Sequence, residues 1–392
     1  MRESWRWFGP QDPVSLDEIR QTGASDIVSA LHDIPIGEPW PRVAIANHRT
    51  LVEAANETMA PLHWTVVESI PVHEDIKLAA PGHQRYIDAW IESLKNLAAE
   101  GITTICYNFM PVIDWTRTDL RYQLPSGVFA LRFDQDRFAA FDLFILEREG
   151  ARADYSDEEF GRAEAAFSAM SDADKTKLTE TIIAGLPGRM TEAYSLEDFR
   201  GALARYAGMD HSDLRSNLIS FLSQVLPAAE EYDVKLAIHP DDPPWDMFGL
   251  PRVICTPDDL DALFARQSSP SNGITLCVGT YGSRPDNDLP QMARQFRDRI
   301  HFAHLRGVSR DPSEPRSFYE ASHLDSDIDM VAVIRNLLEN EDTLEREIYI
   351  RPDHGHLMLG DVNRSSNPGY SAIGRMKGLA EIRGVIKAIA AS

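Results

Sequence analysis

An α/β fold is predicted for this chain: a closed (β/α)8 (TIM) barrel carrying a helical insertion between its third and fourth strands. Three observations predict it. Short apolar runs alternate with helical patterns along the 392 residues, as parallel strands joined by crossover helices would require. The runs number eight, which favours a barrel over an open, doubly wound sheet. The third run, at 102–109, and the fourth, at 234–240, stand too far apart for a single crossover.

The first strand is read in "DIVSALH" (26–32), before the helical stretch "RVAIANHRTLVEAAN". The second, "WTVVESI" (64–70), precedes a helix whose Ile87, Trp90, Ile91, Leu94 and Leu97 recur at helical spacing. "ITTICYNF" (102–109) is the third. Before the fourth, "VKLAIHP" (234–240), a helix places Leu214, Leu218, Leu222 and Val225 on one face. "ITLCVGT" (274–280) and "IHFAHLR" (300–306) follow. "SFYEAS" (317–322) is taken as a short seventh strand, although no crossover helix is evident before it. "EIYIRPD" is the eighth, followed by "SAIGRMKGLAEIRGVIKAIAA". Within 117–209, Ser156, Ser171 and Ser195 each stand three residues before an acid, the pattern of a helix N-cap. "GLPG" (185–188) interrupts that pattern. The segment is expected to cover the barrel mouth or build an oligomer contact, within one domain spanning 1–392. Trp5 and Trp7 are assigned to packing.

Composition narrows the function classes. Against 61 acidic residues stand 39 basic ones, a formal net charge of −22. Such a field disfavours polyanions and anionic membrane surfaces, so no nucleic-acid or membrane partner is expected. It leaves room for a small anion met by a local arginine pair. No apolar run has the length of a membrane span, and the N-terminus lacks the apolar stretch of a secretory signal. Cysteines occur only at 106, 255 and 277, which points to a reducing, cytoplasmic setting.

The candidate site comes from reading the carboxyl ends of the strands, where barrels place their chemistry. In order these ends offer His32, Glu68, Asn108, His239, Cys277, His304 with Arg306, and Arg351 with Asp353 and His354. Any one of them has a bland explanation in packing or a surface ion pair. Their recurrence at the same end of successive strands would surround one cavity. His239, Cys277, His304 and Asp353 form a two-histidine, one-thiolate, one-carboxylate set suited to Zn2+ or Fe2+, with the carboxylate also admitting Mn2+. Arg306 and Arg351 are placed to clamp a carboxylate.

"WRWFGPQDPVSL", "ALHDIP", "AIHPDDPP", "LCVGTYGS", "FAHLRGV", "RPDHGH" and "NPGYSAIGRMKGLAEIRGV", in this order, give the chain a further property. Together they resemble the metal-dependent D-mannonate dehydratases, whose barrel is of the xylose-isomerase-like type. The resemblance runs from residue 5 to the C-terminus. It implies loss of water from D-mannonate to give 2-dehydro-3-deoxy-D-gluconate, in hexuronate breakdown, with Mn2+ or Fe2+ as cofactor. It also implies His239, Cys277, His304 and Asp353 as metal ligands and His354 with Tyr370 as the catalytic pair. His32, Glu68, Asn108, Arg306 and Arg351 would then face the sugar acid, and a homo-oligomer is expected. Rival readings are an aldose–ketose isomerase, a metal-dependent phosphoesterase and a non-catalytic sugar-acid binder. None of these needs both a carboxylate clamp and a proton-transferring pair beside a metal.

Overall fold

Closure of the barrel begins with a strand that the apolar pattern does not reveal. The computed structural model describes residues 1–54, 59–184 and 195–391. Among these, the strands in chain order are β1 (Arg2–Arg6), β2 (Asp26–Ser29), β3 (His63–Glu68), β4 (Thr104–Tyr107), β5 (Asp119–Gln123) and β6 (Phe129–Phe133). They continue with β7 (Lys235–Ile238), β8 (Asn272–Cys277), β9 (Ile300–His304), β10 (Gly307–Asp311), β11 (Glu314–Ala321) and β12 (Tyr349–Arg351). The closed barrel has the order β1-β12-β9-β8-β7-β4-β3-β2, with every pairing parallel. Eight parallel strands in a closed ring are the predicted architecture, but their membership differs from the expectation in one place.

"SFYEAS" is a strand outside the barrel. It belongs to β11, in a separate four-stranded sheet of order β10-β11-β6-β5. The reason lies in the connections. β9 ends at His304 and β10 starts at Gly307, and β10 ends at Asp311 before β11 starts at Glu314. The short link from β10 makes β11 its antiparallel partner, and neither link has room for the crossover of a dozen residues or more that a parallel neighbour needs. The eighth barrel strand is instead β1, paired on one side with β2 and on the other with β12. Its sequence, "RESWR", hides it because its inner face is polar. Arg2 forms a two-pronged ion pair with Asp26, at 2.7 and 3.1 Å, and Ser4 donates to the Ile350 carbonyl at 2.8 Å. On the other face Trp5 is fully buried, its ring 4.1 Å from the Arg375 guanidinium.

Helices pack outside the barrel as their spacing predicts. Gln84–Ala99 buries Ile87, Trp90, Leu94 and Leu97, and His211–Glu231 buries Leu214, Leu218, Leu222 and Val225. Ser156 and Ser195 form capping boxes with Glu159 and Asp198, and Ser171 accepts from the Asp174 amide. The segment 117–209 is not helical throughout, since it opens with the β5–β6 hairpin. Antiparallel pairing of Phe318 with Phe133 joins that hairpin to β11, and Phe133, Phe318 and Trp245 pack their rings together. "GLPG" lies outside the described residues. No helix among the described residues is long and apolar enough to cross a membrane.

Because β1 closes the ring, truncating its one large apolar side chain should weaken the whole barrel. Trp5→Ala is expected to lose about 3–5 kcal/mol, measured as a lower denaturant midpoint. A loss below about 1 kcal/mol would show that β1 merely lies against a barrel already stable without it.

Candidate active site

Side chains on a strand alternate between its two faces, so residues two apart look the same way. Inside the barrel, Val28, Val66, Cys106, Ala237 and Phe302 form a small cluster with Tyr349, separate from the main core. Two residues further along β3, β4, β7, β9 and β12 come Glu68, Asn108, His239, His304 and Arg351. By the same step Cys277 follows Thr275, whose hydroxyl contacts Cys106 Sγ at 3.2 Å, and Arg6 follows Ser4. The polar strand tips are therefore the next inward-facing layer, stacked on an apolar one. Register brings three of them side by side: Cys277 pairs with His304, and His304 with Arg351.

His239, Cys277 and His304 place one ligand atom each within 4.8 Å of one another. His239 Nδ1 donates to the Pro240 carbonyl at 2.7 Å. Because a carbonyl only accepts, Nδ1 carries the proton and Nε2 is left to bind. Burial pushes the Cys277 thiol up, but His239 and His304 together hold it well below its ordinary value. Desolvation pulls His239 down, while the Cys277 charge raises it to about 9. Two imidazoles and a thiolate at this spacing fit a divalent transition metal. Asp353 stands beside the group, with Oδ2 3.8 Å from Cys277 Sγ. Its φ of 64° is a left-handed conformation that a non-glycine residue seldom adopts.

Around this group runs a buried network of four guanidinium groups and four carboxylates: Arg6, Arg117, Arg306 and Arg351 against Glu68, Asp242, Glu320 and Asp353. Arg351 grips Glu68 through two bonds, at 2.8 and 3.1 Å, and Asp353 Oδ1 at 2.5 Å. Arg6 Nη1 reaches Glu68 Oε1 at 2.7 Å. Burial raises Glu68, yet Arg351 and Arg6 hold it well below the carboxylate range. The same opposition, with Arg351 and His354 as the lowering groups, acts on Asp353. Glu320, raised by burial and lowered by Arg306 and His354, ends at about 2.

His354 is held on several sides. Its Nδ1 lies 2.8 and 2.9 Å from the Glu320 oxygens. The Tyr370 ring meets it edge-on at 4.9 Å and the Trp115 ring at 6.0 Å. Gly369, at φ +80°, lets the chain pass beneath it; a Cβ there would sit 2.8 Å from His354 Cγ. Burial raises the Tyr370 phenol, with Arg6 and Arg351 opposing it. Tyr370 is accordingly a protonated hydroxyl at neutral pH.

A family model described as D-mannonate dehydratase (UxuA) matches residues 1–392. The chain belongs to the D-mannonate dehydratase family. A protein named mannonate dehydratase from Chromohalobacter salexigens is 53% identical over 99% of both chains. One so named from Brucella canis is 50% identical over 99% of this chain and 97% of its own. A crystal structure of mannonate dehydratase from Streptococcus suis superposes with a TM-score of 0.77 at 34% identity, covering 99% of this chain and 93% of that one. A xylose isomerase-like TIM barrel protein from Mycobacterium smegmatis, 12% identical with a TM-score of 0.52 over 98% of this chain and 97% of its own, shares the fold.

Within this family member, one cavity is lined by Glu68, Asn108, His239, Arg351, Asp353, His354 and Tyr370. Two residues predicted to face a substrate lie elsewhere. Arg306 is set behind the cavity, where it donates to Asp242 at 3.1 Å and to Glu320, and lies 3.0 Å from Asp353 Oδ2. Gly279 makes room for it, since a Cβ there would sit 2.4 Å from Arg306 Nε. His32, four residues beyond the apolar layer at Val28, lines a neighbouring cavity with Phe8, Asp33 and His48. Sequence reasoning missed Arg6 and Trp115, which line the first cavity together with Asp242, and Glu320. Arg6 would have followed from recognising β1. Asp242 and Glu320 had no periodic signal, because each is aimed by a turn or by the second sheet.

Carboxylates with depressed pKa values contribute stability that is fully present above their unfolded values, near pH 4, and lost as pH falls through the folded ones. The urea midpoint should therefore begin to fall below about pH 6.5, where His48 and His301, held by burial at about 4 and 3, resist protonation, and fall more steeply from pH 4.5 toward 2 as the carboxylates protonate. The fall should persist in about 0.5 M salt, which screens surface pairs but not buried ones. A midpoint unchanged down to pH 3 would contradict the ionised, paired state described here.

Proposed function

We propose that the chain dehydrates D-mannonate to 2-dehydro-3-deoxy-D-gluconate. A divalent ion would be held by His239, Cys277, His304 and Asp353, and His354 and Tyr370 would move the protons. The observation that carries this reading is the edge-on contact of His354 and Tyr370 beside a three-ligand metal group, in a chain that matches the dehydratase family along its length. The protein is accordingly read as a hydro-lyase. The mixed nitrogen, sulfur and oxygen donors admit Fe2+ and, through the carboxylate, Mn2+, the two ions that the family resemblance implies. Three unpaired, buried cysteines accord with the cytoplasm as its setting.

The reaction takes a proton from the carbon beside the carboxylate and expels the neighbouring hydroxyl as water, and the resulting enol becomes the ketone. A bound divalent ion supplies charge stabilisation for the ene-diolate that develops on the acid. The residues do the rest. Tyr370, kept protonated, suits donation to the departing hydroxyl, which leaves His354 to receive the carbon-bound proton. Arg351 and Arg6 put positive charge on the cavity wall, and Glu68, gripped by both, fixes where they sit. Asn108 offers a neutral donor and acceptor for a substrate hydroxyl. Trp115 and Tyr370 flank the imidazole and limit water around it.

Purified protein loaded with Mn2+ or Fe2+ should convert D-mannonate to an acid lighter by one water and carrying a new keto group. It should ignore D-mannose, glucose and xylose. Comparable isomerisation of a neutral aldose would instead favour the isomerase reading. A chelator should abolish turnover and either ion should restore it; full activity in metal-free protein would remove the metal from the scheme.

His354→Asn and Tyr370→Phe should keep bound metal while kcat falls by about 10² or more, the scale of lost acid–base help. Loss of metal in His354→Asn would make His354 a ligand. Arg351→Met should lower kcat/KM on the acid about 30-fold or more, since removing one partner of a buried charged pair costs about 2–5 kcal/mol. An unchanged kcat/KM would take Arg351 out of the site.

A further inference from the structure

We propose that Glu320 is a positioning residue for the reaction: it fixes the tautomer and orientation of the His354 imidazole. The inference rests on the proton-transfer role proposed for His354. It comes from how one carboxylate is held by two guanidinium groups while it meets the His354 ring. Oε1 receives Arg117 Nη2 at 2.8 Å and Arg117 Nε at 3.2 Å, together with Arg306 Nη1. Oε2 lies 2.8 Å from His354 Nδ1, closer than Oε1 at 2.9 Å. The two guanidinium groups thus hold the carboxylate in place, with both of its oxygens within reach of the ring nitrogen.

An ionised carboxylate only accepts, so Nδ1 of His354 carries the proton. The neutral ring then has its lone pair on Nε2, which lies on the Asp353 side, 3.8 Å from Asp353 Oδ1. Without Glu320 the imidazole could take the opposite tautomer or rotate about its side-chain bonds. Either change would withdraw the basic nitrogen from the metal side of the cavity, where the acid would bind. Nothing in the barrel strands supplies this carboxylate. Glu320 stands on β11, opposite Val308 in the antiparallel sheet. Arg117, which locks it, stands just before β5 of the same sheet and donates to Asp242 as well, at 2.8 and 3.2 Å. The strand that the sequence pattern assigns to the barrel therefore delivers a positioning group from outside it.

The test is a double-mutant cycle on metal-loaded full-length protein, reading kcat, KM for D-mannonate, bound metal and melting temperature. Glu320→Gln removes the charge at constant shape. Glu320→Asp keeps an anion for Arg117 and Arg306 but draws it back from His354 by one methylene. In either variant that folds, kcat should fall about 10- to 100-fold, the scale for an outer partner of a reacting imidazole, with bound metal kept and KM within about threefold. In the His354→Asn background the same change should cost no further kcat, because the part Glu320 plays in turnover runs through His354, whereas its pairing with Arg117 and Arg306 is read separately by the melting temperature. Losses that multiply in the double variant, or an undiminished kcat in Glu320→Gln or Glu320→Asp, would overturn the role of Glu320. A wild-type protein that leaves D-mannonate unchanged would instead overturn the reaction itself.

Discussion

Arg306 is enclosed by Asp242, Glu320 and Asp353, contributed by the loop after β7, by the second sheet and by the end of β12. Removing a charge from water is costly, and it persists only where partners surround it. Because those partners come from three separate parts of the chain, none can move without leaving a buried charge unmatched. One guanidinium therefore sets the relation between the barrel and the sheet laid against its mouth. Breaking such a pair costs about 3–5 kcal/mol, a large fraction of the stability of an ordinary domain. The rigidity that follows is what a reacting site needs: His354 and Asp353 are neighbours in sequence, yet each is braced by a different partner of Arg306 or by Arg306 itself.

The barrel achieves this by stacking two unlike layers. Small and apolar side chains such as Val28, Cys106 and Ala237 fill the interior below, and the charged layer rests on them. Four arginines balance four carboxylates there, so the site does not share the excess negative charge of the whole chain, −22. The arginines that matter for an anion are those on the cavity wall, Arg6 and Arg351, whose fields act over a few ångströms. The diffuse field of the surface is screened within about 8–10 Å at physiological salt. A sugar acid thus meets local charge that differs from the protein's average.

Most of the fold was legible because periodicity reports burial directly. The helix with Leu214, Leu218, Leu222 and Val225 could hardly be anything else, and the apolar runs of β3, β4, β7, β8, β9 and β12 are buried strands. Two strands were misjudged for opposite reasons. "RESWR" is a barrel strand whose inner face is arginine and serine, so hydrophobicity does not mark it. "SFYEAS" has the composition of a strand, but composition carries no information on which sheet a strand joins; the two-residue links before it do. At the site, residues one step beyond the apolar layer were found by reading strand tips, as with Glu68, His239, Cys277, His304 and Arg351. His32 lay too far along, and Arg306 was taken for a clamp because sequence cannot show that three carboxylates already surround it. Glu320 was invisible, since its role depends on an antiparallel sheet folding over the barrel.

Metal ligands and a proton-transferring pair are proposed to share one cavity with a sugar acid. Anomalous diffraction from crystals of the Tyr370→Phe protein grown with Mn2+ and D-mannonate tests it most directly. One strong anomalous peak is expected among His239, Cys277, His304 and Asp353, with intact mannonate between that peak and the His354 ring. A peak elsewhere, or mannonate bound instead in the cavity beside His32 and His48, would contradict it.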